Sequence, residues 1–178
     1  MYNFFLRRKI KKILNLSERQ KAYLNLSEIK SILVLFGTEN FSDANYFIQQ
    51  MRKMKKKISA FAIKNKKDTK DYSNISYTVV TEKDMKNLKG DSLLQIVNSL
   101  SRKKIDLIVD LTLEENLLLL YVLVSVNAPL KVGFYKHSLP VHDMVISFAP
   151  DLVQNVKELG KHLIHYLTII SSESKNDR

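Results

Sequence analysis

The 178-residue chain has no cysteine and only four glycines. The first absence excludes a disulfide framework, thiol catalysis and cysteine-ligated zinc or iron–sulfur centres, and is what a reducing compartment permits. The second excludes phosphate-cradling loops: glycines at 37, 90, 133 and 160 cannot assemble G-x-G-x-x-G or a P-loop. A membrane-length apolar run is also missing. The stretch Leu117 to Val126, in which only Ser125 is polar, falls well short of the roughly 20 residues a span needs, so it is predicted to be a buried helix. The N-terminus MYNFFLRRKIKKIL puts its apolar residues ahead of its charges, the reverse of a secretory signal. The expectation is a cytoplasmic protein with no transmembrane segment and no cofactor.

What the chain has in excess is positive charge, concentrated at one end. Residues 1–70 carry 17 Lys/Arg against 5 Asp/Glu, net +12, whereas residues 71–178 carry 12 against 13, net −1. Two clusters hold the excess: Arg7, Arg8, Lys9, Lys11, Lys12, and Arg52, Lys53, Lys55, Lys56, Lys57 leading on to Lys64, Lys66 and Lys67. Such asymmetry points to a polyanionic partner, RNA or a ribonucleoprotein foremost and an anionic membrane surface second. The alternative is a solvated basic face, since lysine outnumbers arginine 23 to 6, as in proteins of AT-rich genomes.

A chain of this length fits one domain that buries roughly 70% of its unfolded surface. Leu6, Ile10, Ile13 and Leu14 recur at helical spacing among basic residues, predicting a basic amphipathic helix from Tyr2 to about Leu14. Ser17 and Gln20 fit a capping box and predict a second helical turn to about Leu24. Strands are predicted at 32–36, 58–63, 77–81, 105–111, 130–135 and 144–148, the first (ILVLF) continuously apolar as a strand buried on both faces requires. Between them come a helix capped by Ser42 with the stripe Ala44, Phe47, Ile48, Met51 and Met54, a turn at Thr81 and Asp84, and a helix from Asp91 or Ser92 to Leu100. A last helix carries Leu152, Val156, Leu159, Leu163, Leu167 and Ile170. Segment 64–76 has no periodicity and is predicted to be a mobile loop. This order gives a single doubly wound, mostly parallel, Rossmann-like α/β sheet at 29–170, with a basic helical extension at 1–28 and a polar tail at 171–178.

The pattern IDLIVDL, apolar helix, Ala128-Pro129, KVGF, together with Lys30 to Lys57, resembles the N-terminal, acceptor-side half of heptosyltransferase-type glycosyltransferases. Most of the chain also resembles an uncharacterised family of short bacterial α/β proteins with a basic N-terminal helix. The first resemblance implies an acceptor-binding fold, with no counterpart within these residues to the second domain that binds the nucleotide-sugar donor. It implies a base in the loop after the first strand, where the nearest counterpart is Asp43, in a loop of different length that lacks the family's glycines.

In open α/β sheets ligands lie beyond the carboxyl ends of the strands. That singles out Asp43 and Asp110 as the carboxylates of a possible ligand crevice. The loop GTENFSD disfavours a flavin phosphate, because Phe41 stands where glycine is expected and Asp43 where a hydroxyl should donate. Thr112 and Glu115 fit a capping box with Glu114 in the first turn, and Asp106 is expected to be solvated. His162 and His165 lack H-E-x-x-H company and read as solvated; His142, Asp143 and Ser138 lack a nucleophile elbow. Tyr2, Phe4 and Phe5 are expected to pack on the sheet rather than stack on bases. The residues therefore describe a non-catalytic protein docking on a polyanion through its basic N-terminal third, with a glycosyltransferase-like acceptor half lacking its donor domain as the alternative. No catalytic or metal-binding residue is assigned.

Overall fold

In the first strand, β1 (Ser31–Gly37), Leu33 and Leu35 enter one apolar layer while Ile32, Val34 and Phe36 enter another. A strand with both faces dry belongs at the centre of a covered sheet, and the computed structural model puts it there. The structure describes residues 2–72, 76–81, 83, 91–134, 139–148 and 155–170. Within them, β2 (Lys57–Lys64), β3 (Thr78–Thr81), β4 (Leu107–Asp110), β5 (Leu130–Phe134) and β6 (Met144–Ile146) join β1 in one all-parallel sheet of order β3-β2-β1-β4-β5-β6. This is the expected doubly wound arrangement, with its switch point between β1 and β4.

One face carries α1 (Tyr2–Leu16), α3 (Asp91–Ser101) and α4 (Leu117–Ser125); the other carries α2 (Phe41–Lys53) and α5 (Val156–Ile169). Helix α4 is the apolar run, and Leu118 to Val124 are all buried. It has no polar face because the sheet covers one side and α1 the other, where Leu6 and Ile10 are buried, each contributing roughly 1.5–3 kcal/mol. Leu6 and Ile10, the middle of the stripe that a lipid surface would need, are thus occupied within the fold. Among the described residues no helix is long and apolar enough to cross a membrane.

Several local expectations are corrected. Residues 17–25 form no helix; they cross the amino edge of the sheet, bonding Pro129 through Ala22 N–H (3.1 Å) and continuing to Leu26, whose N–H donates to Leu167 (2.7 Å). Tertiary partners outbid a marginal one-turn helix. The α2 cap is Asn40 rather than Ser42, because a 3-10 turn at Thr38–Asn40 precedes it, and Met54 of its predicted stripe is exposed. Beyond α2, Lys55 adopts φ 60, and Lys55 and Lys56 N–H donate to Arg52 and Met51 carbonyls in a Schellman-type end that ordinarily favours glycine. Asp106 is not simply solvated: its Oδ2 accepts from Lys30 and Ser31 N–H at 2.9 Å, latching β4 to β1. Tyr135, His137, Ser138, Asp84, Leu152 and the tail 171–178 lie outside the described residues.

Candidate functional site

At the carboxyl edge of the sheet the connections leaving β1 and β4 diverge to opposite faces, and a crevice of about 650 Å³ opens between them. Its walls are Gly37, Glu39 and Asn40 at and beyond the end of β1, Ile63 to Lys67 at and beyond the end of β2, and Thr112 to Asn116 after β4. A Cβ at Gly37 would run into the Glu39 carboxylate, which folds back over this turn.

Each wall is fixed locally. Thr38 is buried and its hydroxyl accepts from Asn65 N–H at 3.1 Å, joining the first two walls. The loop after β2, expected to be mobile, is closed on itself between residues 64 and 72. Tyr72 donates to Asp68 at 2.6 Å, Lys70 N–H to the same carboxylate at 3.0 Å, and the Tyr72 ring packs 5.1 Å from Phe41. Hydrogen bonds from Thr38, Tyr72 and Lys70 hold the Asp68 carboxyl at about 2, and burial with the Asp68 neighbour pushes the Tyr72 phenol up. Lys64 donates to the Lys70 carbonyl at 2.5 Å and lies over the Tyr72 ring.

The third wall corrects the expected capping box. Asn116, not Thr112, caps α4, its Oδ1 accepting from Leu118 and Leu119 N–H at 3.0 and 3.2 Å. Thr112 is buried and donates through N–H (3.0 Å) and hydroxyl (2.6 Å) to Asp110 Oδ1. Glu114 lies ahead of the helix rather than in its first turn, and Glu115 pairs with Arg7. The cap moves four residues because the end of β4 needs that length of chain to swing onto the other face.

Neither predicted crevice carboxylate lines the crevice. Asp110 is buried at the end of β4, between β1 and β5, and its Oδ2 lies 3.2 Å from His142 Nε2. Gly133 leaves room for that pair, since a Cβ there would stand 2.6 Å from His142 Nε2. Asp43 is half-buried in the first turn of α2, where a negative charge suits the helix N-terminus. Charged groups that line it instead are Glu39, Lys64, Lys66, Lys67, Glu114 and Glu115. The sequence had marked this edge but not these side chains.

The basic clusters sit on opposite faces of the sheet. On α1, Arg8, Lys9, Lys11 and Lys12 are exposed, while Arg7 is paired with Glu115. Phe4 and Phe5 are 61% and 54% exposed, contrary to the expected packing on the sheet, because Leu6 and Ile10 already fill the contact with α4. In the second cluster Lys53, Lys55 and Lys57 are exposed, but Lys56 Nζ donates to Leu26 and Ile29 carbonyls at 2.6 and 2.7 Å, and Arg52 lies over Tyr77 and donates to Ser76 at 3.1 Å. Among the described residues no three His, Cys, Asp or Glu side chains gather as a metal site would require, and His162 and His165 are exposed.

Sequence reasoning missed a second charged group at the amino edge. Arg19 forms two bonds with Asp143, 2.6 and 2.8 Å, and also donates to Ala128 and Pro129 carbonyls at 2.9 Å. Burial raises the Asp143 carboxyl, yet Arg19 and the Lys131 N–H more than offset this and hold it below its ordinary value. No signal in the sequence links partners 124 residues apart.

No curated protein matches the chain. A solved structure of a glycosyl transferase family 9 protein from Veillonella parvula DSM 2008 is similar over 85% of this chain, with a TM-score of 0.53 and 17% identity. The chain spans 43% of that protein's length, and at this identity the likeness is one of fold. A family model described as a family of unknown function (DUF6913) matches residues 3–170, a span that includes the basic helix α1, and the chain belongs to that family.

Proposed function

We propose that the carboxyl-edge crevice binds a polyhydroxylated, sugar-like small molecule, as the acceptor-side half of a glycosyltransferase-like arrangement whose donor is held by another domain or chain. The observation that carries this reading is the open crevice of about 650 Å³ at the switch point, where ligands of open α/β sheets lie. Its lining mixes carboxylates (Glu39, Glu114), amides (Asn40, Asn65) and ammonium groups (Lys66, Lys67). Hydroxyls donate to the first and accept from the last, whereas a polyphosphate would be repelled by the glutamates. The fold shared with a glycosyl transferase family 9 protein supports the same reading. Binding is proposed rather than self-sufficient transfer, because Asp110 is engaged with Thr112 and His142 and Asp43 stands outside the crevice. Thermal unfolding against a panel of hexoses, heptoses and their phosphate and nucleotide conjugates tests it. A melting temperature that climbs with ligand concentration, and no longer does so in Glu39→Ala, is expected; no shift with any member of the panel sinks the proposal.

A second reading is docking of RNA on α1. It is favoured by the joint exposure of Arg8, Lys9, Lys11 and Lys12 with Phe4 and Phe5, which offers phosphate contacts and stacking surfaces on one helix. The second lysine cluster, on the opposite face, would not share that footprint. RNA should co-purify at low salt, dissociate steeply as salt rises, and be lost when the four cations are changed to glutamine; retention after that change removes the reading.

A further inference from the structure

At the amino edge, far from the crevice, two adjoining cavities of about 520 and 320 Å³ lie between the end of α1, residues 17–21, the end of α4 and residues 139–141. Both are lined by Lys131, the second residue of β5, which is 4% exposed. Its ammonium carries three donors and meets one acceptor, the Leu123 carbonyl at 2.6 Å in the last turn of α4. The nearby carboxylate cannot complete it, because both oxygens of Asp143 are taken by Arg19, with Lys21 3.4 Å away and the backbone N–H of Lys131 also bound. The larger cavity is also lined by Ser125, whose hydroxyl is shielded from water and has no hydrogen-bond partner. A buried ammonium short of acceptors and an unpartnered hydroxyl are costly unless something fills the space beside them.

We propose that this amino-edge cavity binds a small oxyanion of the phosphate class, free or as the phosphate of a small monoester. It is held by the Lys131 ammonium and, after a turn about its χ1, by the Ser125 hydroxyl. Phosphate supplies the charged acceptor oxygens that both groups lack. Lys11, Lys12 and Lys21 line the approaches and draw an anion in, and of the two carboxylates present Glu18 is exposed while Asp143 is neutralised by Arg19. Burial, followed by the Arg19 charge, pushes the Lys131 ammonium down to about 7. A bound oxyanion opposes both effects.

Titration calorimetry of the full chain with inorganic phosphate and, separately, glycerol phosphate, against chloride at equal ionic strength, tests the site. Saturable binding is expected, weakened about tenfold or more in Lys131→Met, as loss of a charge-assisted hydrogen bond requires, and severalfold in Ser125→Ala. Lys66→Glu, in the crevice, should leave it unchanged. If Lys131→Met fails to fold, Ser125→Ala decides alone. Tighter binding of glycerol phosphate marks a monoester as the ligand; equal binding marks free phosphate. No binding beyond the chloride control, or binding unaltered in Ser125→Ala and in a folded Lys131→Met, overturns the proposal.

Discussion

The two edges of the sheet treat charge in opposite ways. At the carboxyl edge Glu39, Lys66, Lys67 and Glu114 face an open crevice, and Asp68, in the loop after β2, is fixed by its near neighbours Lys70 and Tyr72. At the amino edge the ionised groups are withdrawn from water and matched across the length of the chain, Arg19 to Asp143 and Lys131 to Leu123, with Arg19 and Asp143 side chains only 10% and 3% exposed. An edge built from short loops can exchange its side chains with little effect on the fold. An edge built from buried charges cannot, because each charge depends on its partner being there.

The largest test of that contrast is Asp143→Asn. It leaves the Arg19 guanidinium buried without its carboxylate, and a loss of about 3–5 kcal/mol in urea unfolding is expected. A loss below ~1 kcal/mol, the scale of an exposed pair, would show that the two edges do not differ. A smaller effect concerns Lys131, whose folded pKa lies near 7 against 10.5 unperturbed. Between those values the unfolded chain keeps a proton that the folded chain has released, so stability rises with pH across this window. Lys131→Met should flatten the rise and gain on the order of 1–3 kcal/mol at pH 7 and below in phosphate-free buffer. The measurement belongs below about pH 10, where Tyr72 and Tyr77, both raised chiefly by burial, begin to act in the opposite sense.

Much of the fold was legible. ILVLF announces a central strand because every residue in it prefers to be dry, whichever face it meets, and the run from Leu117 to Val126 announces a covered helix for the same reason. Boundaries were less so. Ser17, Ser42 and Thr112 are all good caps by type, and none caps a helix; the position of each start was set by where the preceding segment had to deliver the chain. The site was legible only as a place. The rule for open sheets indicated the carboxyl edge, but Asp110 turned inward to His142 and Thr112 while Glu39 and Glu114 came to the rim.

By itself, then, the sequence determined which segments are buried, because transfer of an apolar side chain from water depends mainly on that side chain and its immediate neighbours. Which charges are free, paired or trapped was decided only by the tertiary structure. Lys131 reads in sequence as one lysine among 23. It becomes a buried, under-satisfied cation only when α4 lays a carbonyl across it and Arg19 claims the nearest carboxylate, since Coulomb and hydrogen-bond energies depend on distances that do not exist until the chain has folded.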